Sequence, residues 1–150
     1  DCRTTKLRAT RAGRVAALQS VAAPTYGDVM VETGVSGADP RQLVQMLLDG
    51  LVDSLNAAEG HMKRSAISEK STQITRAMRI VLGLHSALDY ARGGEIARNL
   101  DELYRYVNRR LLQANARNDL DALQEVRSLM SEIREAWSML PAGTTLAAVN

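Results

Sequence analysis

The 150-residue sequence contains no Phe, a single Trp and only four Tyr, so aromatic side chains make up 3% of the chain. Because hydrophobic residues still reach 45%, the core has to be built from Leu, Val, Ile, Ala and Met. Leu, Ala and Met, with Arg, Glu and Gln, favour helices, whereas strands favour aromatic and β-branched residues. The composition therefore predicts an all-α domain and argues against a sandwich or barrel.

Other features are scarce as well. The single cysteine, Cys2, excludes an internal disulfide framework and a zinc knuckle, and it fits a reducing compartment. No stretch approaches the roughly 18 consecutive apolar residues of a membrane span, and the first residues lack the apolar core of a secretory signal. We therefore expect a cytoplasmic protein that does not insert into membranes.

The charge is unevenly distributed along the chain. Residues 1–22 carry five Arg or Lys against one Asp, which leaves the remainder slightly acidic although the formal net charge is +2. A nucleic-acid-binding domain needs a clustered basic face, so we expect no nucleic-acid partner for the folded part. Residues 1–22 are interpreted as a basic, disordered extension, through which nucleic-acid binding stays a third hypothesis.

Cap residues predict the start of four helices. Asp39 as N-cap, Pro40 at the first position and Gln42 in a capping box begin helix one, which is expected to end near Gly60. Helix two is predicted from near Ser68 to the double glycine Gly93-Gly94, which is read as a turn between helices. Helix three then covers about 95–117, and Asn118 or Asp119 caps helix four, which stops before Pro141.

Short connections between helices of about 20 residues predict an antiparallel up-down four-helix bundle over residues 39–140. Residues 23–38 are too short to be stable alone and are expected to lie on the bundle as an N-terminal lid, and 141–150 as a flexible tail. Helical periodicity in helix three predicts a core face formed by Ile96, Leu100, Leu103, Val107, Leu111 and Ala114.

Catalytic chemistry is poorly represented. His61 and His85 are 24 residues apart, and no Glu-x-x-His pair, phosphate loop or Gly-x-Ser-x-Gly motif is present. We expect neither an enzyme nor a bound metal or cofactor.

The apolar residues exceed what one packing stripe requires. Helix one spreads Leu and Val over about half its circumference with Met46 beyond, Ile80 and Leu82 flank the stripe of helix two, and Leu112 lies off that of helix three. Two readings stay open: the 23–38 lid covers this surplus, or amphipathic segments of a partner occupy grooves between helices.

Several segments closely resemble one family over about residues 24–140. These are PTYGDVMVETG, DPRQLVQMLLDGLVDSL, GGEIARNLDELYRYVNRRLLQANARNDLDAL and EIREAW. The chain is similar to the FliS family, the cytoplasmic export chaperones of bacterial flagellin. The resemblance implies that the disordered C-terminal segment of flagellin binds in hydrophobic grooves, which prevents premature polymerisation. It also implies delivery to the cytoplasmic domain of the flagellar type III export gate.

The resemblance and the apolar surplus together suggest a set of partner-binding residues. For Arg109, Arg110 and Asn115, pairing with a neighbouring helix is an equal alternative. The candidates are Tyr26, Met46, Leu48, Ile80, Leu82, Tyr104, Tyr106, Arg109, Arg110, Leu112 and Asn115. The free protein is expected to be a monomer or weak dimer, and the alternative function is a self-associating helical-bundle structural or adaptor protein.

Overall fold

Four α-helices account for most of residues 40–140, the part of the chain that the computed structural model describes. They are α1, Pro40–Lys63; α2, Ile67–Ser86; α3, Tyr90–Arg117; and α4, Leu120–Ser138. The all-α prediction is confirmed. The expectations for Tyr26, the Asp39 cap, the 1–22 extension, the 23–38 lid and the 141–150 tail lie outside the described residues.

The helices form an up-down four-helix bundle. α1 packs on α2 and α4, and α3 packs on the same two helices. Their antiparallel order is marked at the ends: the indole N–H of Trp137, late in α4, donates to the carbonyl of Arg41, early in α1, over 3.1 Å. Likewise Lys70, early in α2, donates to the carbonyl of Asn115, late in α3, over 2.9 Å. Each helix thus lies between two neighbours.

Side-chain caps decide where the last two helices begin. Asp89 accepts from the backbone N–H of Arg92 over 3.1 Å and starts α3, and Asp119 accepts from that of Ala122 over 3.1 Å and starts α4. Asn118 instead ends α3 in the left-handed conformation (φ 52°), which Asn tolerates better than most residues. Of the two predicted caps of helix four, Asp119 is therefore the one used.

Two predicted helix ends were wrong, both at glycines. α1 continues through Gly60 to Lys63, because a helical glycine costs only about 1 kcal/mol and tertiary packing overrides that preference. The turn between α2 and α3 lies at residues 87–89, where Asp89 supplies the cap, and not at Gly93-Gly94. The predicted left-handed glycine is nevertheless present: Gly94 (φ 53°, ψ −124°) is non-helical and forms a kink, which separates the first turn of α3 from the helical stretch that begins at Glu95.

The predicted core face of α3 was correct at its C-terminal end and wrong near the kink. Val107, Leu111 and Ala114 are fully buried, but Ile96 is 62% exposed. The buried stripe follows a 3.5-residue repeat: Ala97, Leu100, Tyr104, Val107, Leu111 and Ala114. Of the residues predicted for this face, only Ile96 lies off it, because Leu100 and Leu103 are both partly buried and pack against the core.

The apolar surplus of the first two helices is largely core. Leu48 is 1% exposed and Ile80 is 0% exposed, and both belong to the main hydrophobic cluster. The assignment of these two side chains to a partner surface is therefore corrected. α1 and α2 each pack against two neighbouring helices, so each buries a wider arc than the single stripe assumed from the sequence.

Candidate partner-binding groove

A groove of about 490 Å³ lies between α2 and α3. Helical spacing of four and three residues aligns the contributing side chains along each helix. The lining residues are Met78, Leu82 and His85 from α2, and Tyr104, Arg105, Asn108, Arg109 and Leu112 from α3. The groove is thus an apolar channel with polar groups at its rim and one end.

The apolar part of the groove is formed by side chains of graded exposure. Tyr104 is 6% exposed, and this burial raises the pKa of its hydroxyl to about 12. Leu82 is half-buried and Leu112 is 60% exposed. Apolar surface therefore remains open between the two helices, where a partner's side chains can remove it from water.

Asp101 organises one end of the groove. It is hydrogen-bonded to Nε2 of His85, and it accepts from the hydroxyl of Tyr90 and from Nε of Arg105, each over 3.0 Å. The His85 contact, followed by those of Tyr90 and Arg105, holds the pKa of Asp101 below its ordinary value. The His85 ring also meets that of Tyr104 edge-on, with centroids 6.4 Å apart.

Asn115 pins the other end of the α2–α3 pair. Its carbonyl accepts from Nζ of the buried Lys70, and its side-chain oxygen accepts from the hydroxyl of Ser71, both over 2.9 Å. A lysine at this position also neutralises the negative C-terminal end of α3. Of the alternatives considered for Asn115, the structure shows the contact with a neighbouring helix.

Arg110 and Tyr106 face α4 and not the groove. Arg110 Nε donates to Glu125 over 2.7 Å, and the Tyr106 hydroxyl donates to the same carboxylate over 2.6 Å. The Tyr106 hydrogen bond, then that of Arg110, lowers the pKa of Glu125. Arg109 differs, because it lines the groove and has its guanidinium 6.0 Å from the centroid of the Tyr106 ring. These residues divide between two seams of the bundle.

The structure therefore brings together four of the predicted residues: Leu82, Tyr104, Arg109 and Leu112 all line one groove. Tyr104 does so as a core residue and not, as predicted, from outside the core face. Met46 is 40% exposed but lies on α1, which packs on α2 and α4 and not on α3.

The sequence interpretation missed Met78, His85, Arg105 and Asn108 as groove residues. Met78 had been assigned to the core and His85 to an ordinary half-buried histidine. The spacing of Met78, Leu82 and His85 could have shown that they share a face. Asn108 adds a buried side-chain oxygen that has no hydrogen-bond partner among the described residues.

Comparisons with known proteins decide the family. The family model described as flagellar protein FliS matches residues 22–143. The flagellar secretion chaperone FliS of Salmonella typhimurium is 45% identical over 116 residues, which is 77% of this chain and 86% of that protein. The chain belongs to the FliS family. FliSB of Pseudomonas aeruginosa, also a flagellar secretion chaperone, is 45% identical over 112 residues, or 75% of this chain and 89% of its own.

Membership of the FliS family extends to distant relatives. The flagellar secretion chaperone FliS of Bacillus subtilis is 29% identical over 106 residues, covering 71% of this chain and 78% of that protein. The function class is thus a flagellar secretion chaperone and not an enzyme, as the sequence resemblance implied. Among residues 40–140, none of the helices has the length and apolarity to cross a bilayer.

Proposed function

We propose that this FliS-family chain is a cytoplasmic chaperone that holds the C-terminal segment of flagellin and hands it to the flagellar export gate. The observation that supports the proposal is the groove between α2 and α3, in which half-buried Leu82 and exposed Leu112 leave apolar surface open to water. A disordered segment that becomes helical can bury its own apolar face in such a groove.

Occupation of the groove explains how one protein can keep another from polymerising. A client segment bound between α2 and α3 has its apolar face covered and is unavailable for packing against other subunits. The client loses conformational entropy when it becomes ordered, and this cost moderates the affinity and eases release at the export gate. The polar contacts at both ends of the groove, through Asp101 and Asn115, keep the two helices in place while the client binds.

The main test is co-purification of the full chain with flagellin after co-expression. We expect a one-to-one complex with full-length flagellin and none after deletion of the flagellin C-terminal segment. Unchanged binding after the deletion would contradict the proposal. A stable homodimer that does not bind flagellin, seen by light scattering, would support the self-associating alternative in its place.

A groove variant and a matched control locate the site on the chaperone. Leu112→Ser removes an exposed leucine that lines the groove, and Met139→Ser removes an exposed apolar side chain (76%) after the end of α4. Burial of a leucine contributes about 1.5–3 kcal/mol, so Leu112→Ser should weaken flagellin binding at least about tenfold. Met139→Ser should leave it unchanged. If calorimetry shows that the two variants change the affinity for flagellin equally, the groove is not the flagellin-binding site.

A further inference from the structure

Charge divides the bundle into two halves. α2 and α3 together carry nine Arg and Lys residues against four Asp and Glu, whereas α1 and α4 carry four against seven. The contrast is sharpest beside the groove, because residues 70–88 and 103–118 contain no acidic side chain. The α2–α3 half of the bundle is therefore basic and the α1–α4 half acidic, although some of the basic residues, such as Lys70 and Arg110, make contacts within the bundle.

The groove itself has a basic rim. Among the residues that line it, none is acidic, and Arg105, Arg109 and His85 are the polar groups that can bear positive charge. Arg105 and Arg109 are four residues apart on α3, so both guanidinium groups lie along the same edge. Arg105 is 64% exposed and holds Asp101 through Nε, and Arg109 is exposed beside the Tyr106 ring. The pair with Asp101 is made through Nε of Arg105, and Arg109 has no acidic partner among the described residues.

We propose that the α2–α3 groove selects an amphipathic helix whose apolar face is bordered by carboxylates. The apolar channel binds the face, and Arg105 and Arg109 pair with Asp or Glu side chains on its border. Guanidinium groups suit this role because they hydrogen-bond carboxylates with two donors and are less strongly hydrated than ammonium groups. This inference rests on the proposed function and adds the chemistry by which the site chooses among apolar segments.

The same geometry separates the roles of three arginines. Arg110, next to Arg109 in sequence, donates to Glu125 of α4 and is already paired within the bundle. Arg105 is also paired, through Nε with Asp101, but it lines the groove as Arg109 does, whereas Arg110 does not. In this proposal Arg105 and Arg109 act on the partner. Charge complementarity of this kind discriminates between ligands and speeds association more than it raises maximal affinity. We therefore expect the groove to prefer helices with acidic borders over those with neutral borders, and this preference to weaken as the salt concentration rises.

The experiment compares three synthetic 18-residue amphipathic peptides that share one leucine face. Residues on the border of this face are Glu in the first peptide, Gln in the second and Lys in the third. Fluorescence anisotropy with the full chain at low salt should show about tenfold tighter binding of the Glu peptide than of the Gln peptide, and weaker binding still of the Lys peptide. The preference should diminish at about 1 M salt. Equal affinities for the three peptides would overturn the inference.

Matched variants identify the responsible arginines. The double variant Arg105→Gln/Arg109→Gln should lose the preference for Glu over Gln, whereas Arg98→Gln/Arg117→Gln removes the same charge from exposed sites of α3 outside the groove and should retain it. Equal loss in both variants would show a general effect of net charge and overturn the inference. Displacement of the Glu peptide by a 20-nucleotide single-stranded DNA at equal concentration would also overturn it, because the basic face would then be a nucleic-acid site.

Failure of this inference is distinguishable from failure of the proposed function. If flagellin co-purifies and the Arg105→Gln/Arg109→Gln variant binds it and the three peptides as the unmodified chain does, the charge selection is wrong and the chaperone assignment stands. If flagellin does not bind the unmodified chain but the Glu peptide is preferred, the groove selects acidic helices that belong to another partner.

Discussion

The seam between α1 and α4 and the seam between α2 and α3 both have polar contacts near their two ends. They differ in the surface that lies between those contacts. Each is pinned near both ends by polar contacts. At one end Glu59 of α1 forms an ion pair with Arg127 at 2.7 Å and accepts a hydrogen bond from Gln124 over 3.0 Å. At the other end Trp137 donates to the carbonyl of Arg41. Lys70–Asn115 and His85–Asp101 do the same for α2 and α3.

The two seams differ in the side chains that lie between these polar contacts. α1 and α4 contribute large aliphatic side chains that are almost fully buried, including Leu51, Leu55 and Leu123. α2 and α3 also bury aliphatic residues, but between them Met78, Asn108 and the exposed Leu112 line an open groove. α3 packs less closely on its neighbours than α1 does on α2. The comparison teaches that identical pinning can close one seam and leave the other open for a partner. The α2–α3 side keeps apolar surface of Leu82 and Leu112 open to water in a groove.

The largest effect is expected on the free energy of unfolding, from a substitution in the core of α2. Ile80→Ala should lower the free energy of unfolding by about 2–5 kcal/mol, because it leaves a cavity at a fully buried site. Leu112→Ala, at the groove rim, should change it by no more than about 0.5 kcal/mol. Urea unfolding followed by circular dichroism measures both. If Ile80→Ala were neutral for stability and abolished flagellin binding, Ile80 would return to the partner surface where the sequence placed it.

A smaller effect is expected from two glycines near predicted helix ends, one in each half. Gly94→Ala should destabilise by about 1–3 kcal/mol, because φ 53° with ψ −124° is a conformation for glycine alone. A Cβ at Gly94 would have no neighbour within 4 Å, so the cost comes from the backbone and not from a clash.

Gly60→Ala is the control for Gly94→Ala. Gly60 has helical geometry, and an added Cβ would approach only the flexible end of Arg64, at 3.3 Å from Nη1. The substitution should therefore stabilise the protein by about 0.5–1 kcal/mol. Thermal unfolding of both variants checks the pair. Similar behaviour of the two would contradict the kink at Gly94.

The smallest expected effect is the acid dependence of the polar contacts. Hydrogen bonds from Gln124 and Lys63, with the charge of Arg127, lower the pKa of Glu59, as those of Tyr106 and Arg110 lower that of Glu125. Because each pKa is lower in the folded state, the stabilisation is present above the ordinary carboxylate pKa. It is lost as pH falls below about 5 and through the folded pKa.

Two neutral variants compare the seams directly. The Glu59 side chain is 12% exposed and that of Glu125 is 41% exposed. Glu59→Gln should therefore flatten the decline of the urea midpoint between pH 7 and about pH 4 more than Glu125→Gln does. A larger flattening with Glu125→Gln would show that the α3–α4 contact, and not the α1–α4 seam, carries the acid sensitivity.

The sequence predicted the presence of the four helices better than the residues at which they begin and end. Where a cap residue and the periodicity agreed, as at Asp119, the prediction was confirmed. Helix one continues through Gly60, contrary to the prediction, whereas Gly94 interrupts the helical geometry as predicted. α2 ends earlier than predicted, at Ser86, and Asp89 caps the first turn of α3. Among the candidate site residues, Leu82 and Leu112 line the groove, and both lie off the main apolar stripes of their helices. Leu48 and Ile80 were misplaced because the pattern of one helix does not show how many neighbours cover it.

By itself, the sequence determined the all-α class, the four helices and membership of a chaperone family, because composition, caps and motif spacing are local properties of the chain. Only the tertiary structure decided which apolar residues are core and which line the groove, since that depends on two helices approaching each other. It also decided that Arg110 pairs with Glu125 while Arg105 and Arg109 border the groove. The direction of an arginine is set by the neighbouring helix and not by its position in the sequence.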